Sequence, residues 1–224
     1  TKTGLTVSGQ LQGELFAAAF SDIYTFGPTF RAENSNTSRH VSEFWMIEPE
    51  VAFADLAVNC QLAEDFFRFM VEYALEHCQD DLAFFNHFID KGLLQRLEHV
   101  VKTPFQTMSY TEAVEQLQKS GQNFDFPVAW GCDLQSEHER YLTEQIVGGP
   151  LFVTDYPAGI KAFYMRQNDD DRTVSAMAST PAEVSIQSSN PARIHSISFL
   201  GSGAGLAWGS WNNLCATCPS VAQI

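Results

Sequence analysis

The sequence predicts a mixed α+β fold in which a long antiparallel hairpin is flanked by helices. Three observations carry this. Two segments rich in Phe, Ile, Val, Trp and Thr, 23–33 and 43–54, bracket a polar, turn-forming run at 34–42. Leu62, Phe66, Met70, Tyr73 and Ala74 recur at helical spacing. Ser109 with Glu112, and Ser136 with Glu139, have the spacing of capping boxes, in which the side chains at N-cap and N3 satisfy each other's backbone N–H groups.

In chain order, 11–20 is a helix of Leu, Ala and Phe, and the hairpin of 23–33 and 43–54 follows. Residues 62–78 form an amphipathic helix, and two more helices are expected near 81–89 and 93–102. The two capping boxes open a helix each, and 151–154 and 162–166 read as strands. No internal repeat is present.

Hydrophobic residues make up 45% of the 224 residues, with 18 Phe, enough for one domain with a real core. No run of about 18 or more apolar residues occurs, so no membrane-spanning helix is expected, and the start carries no secretory or organellar leader pattern. A net charge of −14 argues against bulk electrostatic coating of nucleic acid, though not against a local basic site. The cysteines are Cys60, Cys78, Cys132, Cys215 and Cys218; an odd, scattered set suits a reducing compartment, and a single Cys215-x-x-Cys218 reads as ordinary thiols rather than a zinc or redox site. Composition breaks near residue 177. Residues 178–224 hold only Glu183 and Arg193 among the acidic and Lys/Arg residues, so 1–177 reads as one unit and 178–224 as a divergent, low-charge tail, weakly ordered or frame-shifted.

Side chains alternate along a strand, so Arg31 and Glu33 share one face, and Phe44, Met46, Glu48 and Glu50 share another. Were these faces to coincide, one surface would carry a guanidinium, several carboxylates and an aromatic ring. A solvated sheet face also shows mixed charge, and Arg39 and His40 also fit a solvated loop tip. The run Phe30-Arg31-Ala32-Glu33-Asn34-Ser35-Asn36-Thr37-Ser38-Arg39-His40, followed by Glu43-Phe44-Trp45-Met46-Ile47-Glu48-Pro49-Glu50, resembles motif 2 of the class II aminoacyl-tRNA synthetases, in the wording of the asparaginyl enzymes. Thr6 to Leu11, Tyr24 to Thr29, Ser136 to Arg140 and Lys161 to Arg166 match the same family in order, and the resemblance covers about residues 5–177.

The resemblance implies the class II antiparallel sheet flanked by helices, and an asparagine–tRNA ligase that uses ATP and Mg2+ to form asparaginyl-AMP before transfer to tRNA-Asn. It implies that Arg31 holds the ATP α-phosphate, that Glu33 contacts nucleotide or tRNA end, and that Phe44 stacks on adenine, with strand-core packing as its alternative. Arg39 and His40 would meet the γ-phosphate and the tRNA acceptor end. Ser8 and Gln10 match the amino-acid loop, and Glu48 would accept from the substrate carboxamide or, alternatively, hold its α-amino group. The aspartyl relatives carry a Lys where Gly13 stands; its loss disfavours aspartate. His138 and Glu139 suit either acid–base work or a capped helix start.

The family's anticodon-reading domain and motif 1, which builds its homodimer, do not precede Thr6, so the core is expected to be truncated at both ends. After Met177 the family continues with an acidic pair that anchors Mg2+ and later with motif 3; here Ala178-Ser179-Thr180-Pro181 follows, and no metal ligand is assigned. The lost strands are expected to leave an exposed sheet edge. Reread two nucleotides out of phase, 198–216 can encode a string resembling motif 3. The expectation is therefore a ligase core that is inactive alone, located in the cytosol, a mitochondrion or a plastid. The alternatives are a non-catalytic ATP- or amino-acid-binding derivative and an asparagine synthetase-like relative.

Overall fold

The computed structural model describes residues 3–30, 42–180, 184–189 and 194–201. The first helix, α1 (Gln10–Phe20), leads into the hairpin of β1 (Asp22–Phe30) and β2 (Glu43–Ala52). Then come α2 (Leu56–His77), α3 (Gln79–Phe88), α4 (Leu93–Lys102), β3 (Gln106–Ser109), α5 (Tyr110–Lys119) and α6 (Ser136–Tyr141). The chain ends, as described, with β4 (Leu151–Pro157), β5 (Thr173–Thr180), β6 (Val184–Ser189) and β7 (Ile194–Gly201).

The strands form one seven-stranded sheet in the order β1-β2-β7-β6-β5-β4-β3. All neighbours are antiparallel except β3 and β4. The expected exposed edge beyond residue 177 is overturned: β7 pairs with β2 and β6 with β5, so residues 184–189 and 194–201 close the middle of the sheet. Residues 202–224, with Cys215, Cys218 and most of the reread window, lie outside the described residues, as does Arg193.

Alternation sorts the packing into two faces. On one, Ala63, Phe67 and Val71 of α2 and Val100 of α4 pack on Phe152 and Met177, joined by Ile47. Phe105 stacks on Phe152 with ring centroids 4.7 Å apart. On the other, Tyr110, Ala113, Val114 and Leu117 of α5 meet Leu151, Val153, Tyr156, Val174 and Ala176. Carried through the register, this second face is also that of Glu48 and Glu50, where α1 lies.

Several local expectations shift for identifiable reasons. Helix α2 starts at Leu56 rather than 62 because the Asp55 side chain caps it, accepting from Val58 N at 2.9 Å. The box at Ser109 forms: Ser109 Oγ accepts from Glu112 N, and Glu112 Oε2 accepts from Ser109 N at 2.9 Å. The second box is one residue displaced. Ser136 is already helical, and Gln135 N donates to Nδ1 of the buried His138 at 3.0 Å. That makes His138 a structural cap. The strand expected at 162–166 is instead turn and isolated bridging, because the chain folds back at 168–171 so that Gln167 bridges Val174. No helix among the described residues is long and apolar enough to cross a membrane.

Candidate functional site

Helix α1 and strand β2 run side by side in matched steps. Four helical residues rise about 6 Å and two strand residues about 6.7 Å. Gly9 therefore meets Glu48, Gly13 meets Glu50, and Ala17 packs on Ala52. A small residue is required at each of these approaches. A Cβ on Gly9 would lie 2.4 Å from Thr25 Oγ1, and one on Gly13 would lie 3.0 Å from Glu50 Cγ. At the far end Ala52 N donates to Ser21 O at 2.9 Å, closing the same seam.

Glu48 is only 3% exposed, and both its oxygens are occupied. Ser8 Oγ donates to Oε1 at 2.6 Å, Gly9 N donates to Oε2 at 2.9 Å, and Thr25 Oγ1 donates to Oε2 at 3.2 Å. A carboxylate at the first free N–H of a helix is favoured by both the hydrogen bond and the helix dipole. Ser8 Oγ in turn accepts from Gln10 N at 3.0 Å, and Gln10 Nε2 donates to Glu14 Oε1 at 2.9 Å. The segment before α1 is tied to the hairpin by Phe30 N donating to Thr6 O at 2.9 Å. Ser8, Gln10 and Glu48 thus come together as one cluster.

Phe44 lies on the same face of β2 as Glu48, 5% exposed and packed with Met46. The register places Thr29 opposite Phe44 and Thr25 opposite Glu48, so odd-numbered β1 residues share this face. Arg31, Glu33, Arg39 and His40 lie outside the described residues.

The residue the sequence reading passed over is Glu50. It is fully buried, and among the described residues neither carboxylate oxygen has a hydrogen-bond partner. Burial, then the charges of Glu14 and Glu48, push its carboxyl up to about 9. The available signal was a fourth even-numbered position on a strand face that also carries Phe44, Met46 and Glu48, a pattern that means burial. Elsewhere, Lys161 lies over the Tyr156 ring at 3.9 Å; burial pushes its amine down to about 8 against the pull of Asp133 and Glu139.

The family of tRNA synthetases class II (D, K and N) matches residues 2–189. The chain belongs to that family. Asparagine–tRNA ligase of Geotalea uraniireducens is 66% identical over 175 residues, which are 78% of this chain and 38% of that protein. The ligase of Geobacter metallireducens is 65% identical over 176 residues, again 38% of its length. This synthetase chain therefore spans 38% of the length of those curated relatives. Among solved structures, asparaginyl-tRNA synthetase from Pyrococcus horikoshii complexed with asparaginyl-adenylate matches with a TM-score of 0.74 at 29% identity, covering 86% of this chain and 50% of that one. The aspartyl-tRNA synthetase of Entamoeba histolytica shares the fold, with a TM-score of 0.74 at 20% identity, over 89% of this chain and 48% of that one.

Proposed function

We propose that this chain carries the amino-acid and ATP wall of an asparagine–tRNA ligase. The observation that carries the reading is the clamp of Ser8 and Gly9 on the buried Glu48, in a chain 66% identical to such a ligase over 175 residues. In the reaction, the asparagine carboxylate attacks the ATP α-phosphorus. A carboxyl–phosphate bond forms, the bond to pyrophosphate breaks, and asparaginyl-AMP results. A terminal hydroxyl of tRNA-Asn then attacks the acyl carbon and AMP leaves. No side-chain nucleophile is needed, so the work is alignment and charge stabilisation.

Arg31 holds the α-phosphate, where a planar fork suits an oxygen pair. Glu33 contacts the nucleotide or the tRNA end, and Phe44 offers its ring to adenine. Arg39 and His40 meet the γ-phosphate and the acceptor end. Ser8, Gln10 and Glu48 bind asparagine: Glu48 exchanges a loop donor for the carboxamide NH2, a donor that aspartate lacks. Gly13 stands where the aspartyl relatives carry a Lys, so the cation that would pair there with a substrate carboxylate is missing, which disfavours aspartate.

Mg2+ neutralises the phosphates in this family, but among the described residues no group of three or more His, Cys, Asp or Glu can hold a metal ion. The sequence has Ala178 where the family's acidic pair begins. Mg2+ is commonly held by one or two carboxylates together with phosphates, a role Ala178 does not fit, and no step is routed through the ion. This favours, as a second reading for the isolated chain, binding of asparagine with little turnover.

Calorimetric titration with L-asparagine and L-aspartate, paired with asparagine-dependent ATP–pyrophosphate exchange, tests both readings. Asparagine is expected to bind, aspartate not, and exchange to be slight. Equal affinity for aspartate, or no asparagine binding, overturns the ligase reading. Robust exchange overturns the claim about the metal anchor.

A further inference from the structure

Glu50 stands one strand step beyond Glu48 on the same face, closed in by Gly13 of α1 and Ile23 of β1. Its ladder partner on β7 is Ser196. Among the described residues the charges that act on it are Glu14 from α1 and Glu48 from β2, both anionic. Among the described residues an ionised carboxylate in this place has no donor, and two like charges lie beside it. An uncharged acid fits the same space without that cost. Because α1 and β2 advance in step, whatever lifts Gly13 off Glu50 also lifts Gly9 off Glu48, one helical turn away.

We propose that Glu50 is a positioning residue for the amino-acid pocket: carried as an uncharged acid under Gly13, it lets α1 lie flat on β2 and keeps the Ser8–Gly9 helix start clamped on Glu48. It touches no substrate and acts through Glu48 and the loop. The proton is retained at neutral pH because burial and its two acidic neighbours push the carboxyl up to about 9. Above that value a second anion appears beside Glu48. Entry of water under α1 opens the clamp and returns the carboxyl to its ordinary range, so opening is favoured progressively as pH rises from 4.5 towards about 9. The clamp is a fact of the fold, whereas its use in asparagine binding rests on the function proposed above.

The test reads the clamp itself. The Gly9 amide, which donates to Glu48, is followed by hydrogen exchange in the chain and in Glu50→Gln, from about pH 6 to about pH 10. Corrected for intrinsic exchange, the parent chain's Gly9 protection should fall by up to about tenfold per pH unit from about pH 6 towards about 9, where the closed form also gives up its proton, and level off above it. Glu50→Gln, a neutral isostere, should protect Gly9 at least as well as the parent at pH 7 and hold that protection throughout. L-asparagine affinity should follow the same two profiles. Parallel pH profiles overturn the proposal, as does loss of Gly9 protection in Glu50→Gln at pH 7, or failure of that variant to fold. Normal Gly9 profiles with no asparagine binding at any pH would sink the ligase reading while leaving the role of Glu50 intact.

Discussion

Replacing Glu50 with Gln should stabilise the chain, and by an amount that grows with pH. The folded-state carboxyl is raised to about 9 from an ordinary value of 4.5. The unfolded chain therefore gives up the proton first. Below 4.5 both states are protonated and the group has no effect; between 4.5 and about 9 folding must retain a proton that the unfolded chain has lost. Each pH unit in that window costs about 1.4 kcal/mol, so the penalty at pH 7 is about 3 kcal/mol. That is a ceiling, because any local opening that admits water to the carboxylate offers a cheaper state. Gln keeps the shape and removes the titration. Urea denaturation of both proteins at about pH 5, 7 and 8.5 measures it, as midpoints at constant slope. The two should nearly coincide at pH 5 and separate steadily upward, with Gln the more stable. Equal pH dependence, or a Gln variant less stable at pH 7, would show that Glu50 is ionised and paired.

Gly9→Ala forces a Cβ to within 2.4 Å of Thr25 Oγ1, so α1 must shift off β1; a loss of about 1–3 kcal/mol in denaturation and weaker asparagine binding are expected. Phe44→Leu roughly conserves volume and should cost under about 1.5 kcal/mol while weakening nucleotide affinity, measured by fluorescent ATP-analogue titration, whereas Phe44→Ala should cost about 3–5 kcal/mol from the cavity it leaves. The Cys60 thiol, pushed up to about 12 by burial and then by Asp155 and Asp55, should resist alkylation at about pH 8, while the exposed Cys132 labels readily; peptide mapping by mass spectrometry separates the two.

Local pattern was enough for much of this protein. The strings around Arg31, Phe44 and Glu48 name the family, and the period of two along β2 is sufficient to put Phe44, Met46, Glu48 and Glu50 on one face. Helix α4 runs over Leu93–Lys102, and Ser109 caps α5, as the sequence indicates. These features depend on residues within a turn or two of each other, so their signal survives in a linear reading. What the sequence could not supply lies in contacts between distant segments. β2 meets β7 with Glu50 opposite Ser196, a pairing that turns an expected open edge into the middle of a sheet. His138, not Ser136, sets the cap of α6, because burial beside Phe124 fixes its ring. Glu48 and Glu50 look alike in sequence, yet among the described residues one receives three donors, from the start of α1 and from β1, while the other receives none. That difference arises from where α1 docks, and docking depends on shape and burial across the fold, which no local period encodes.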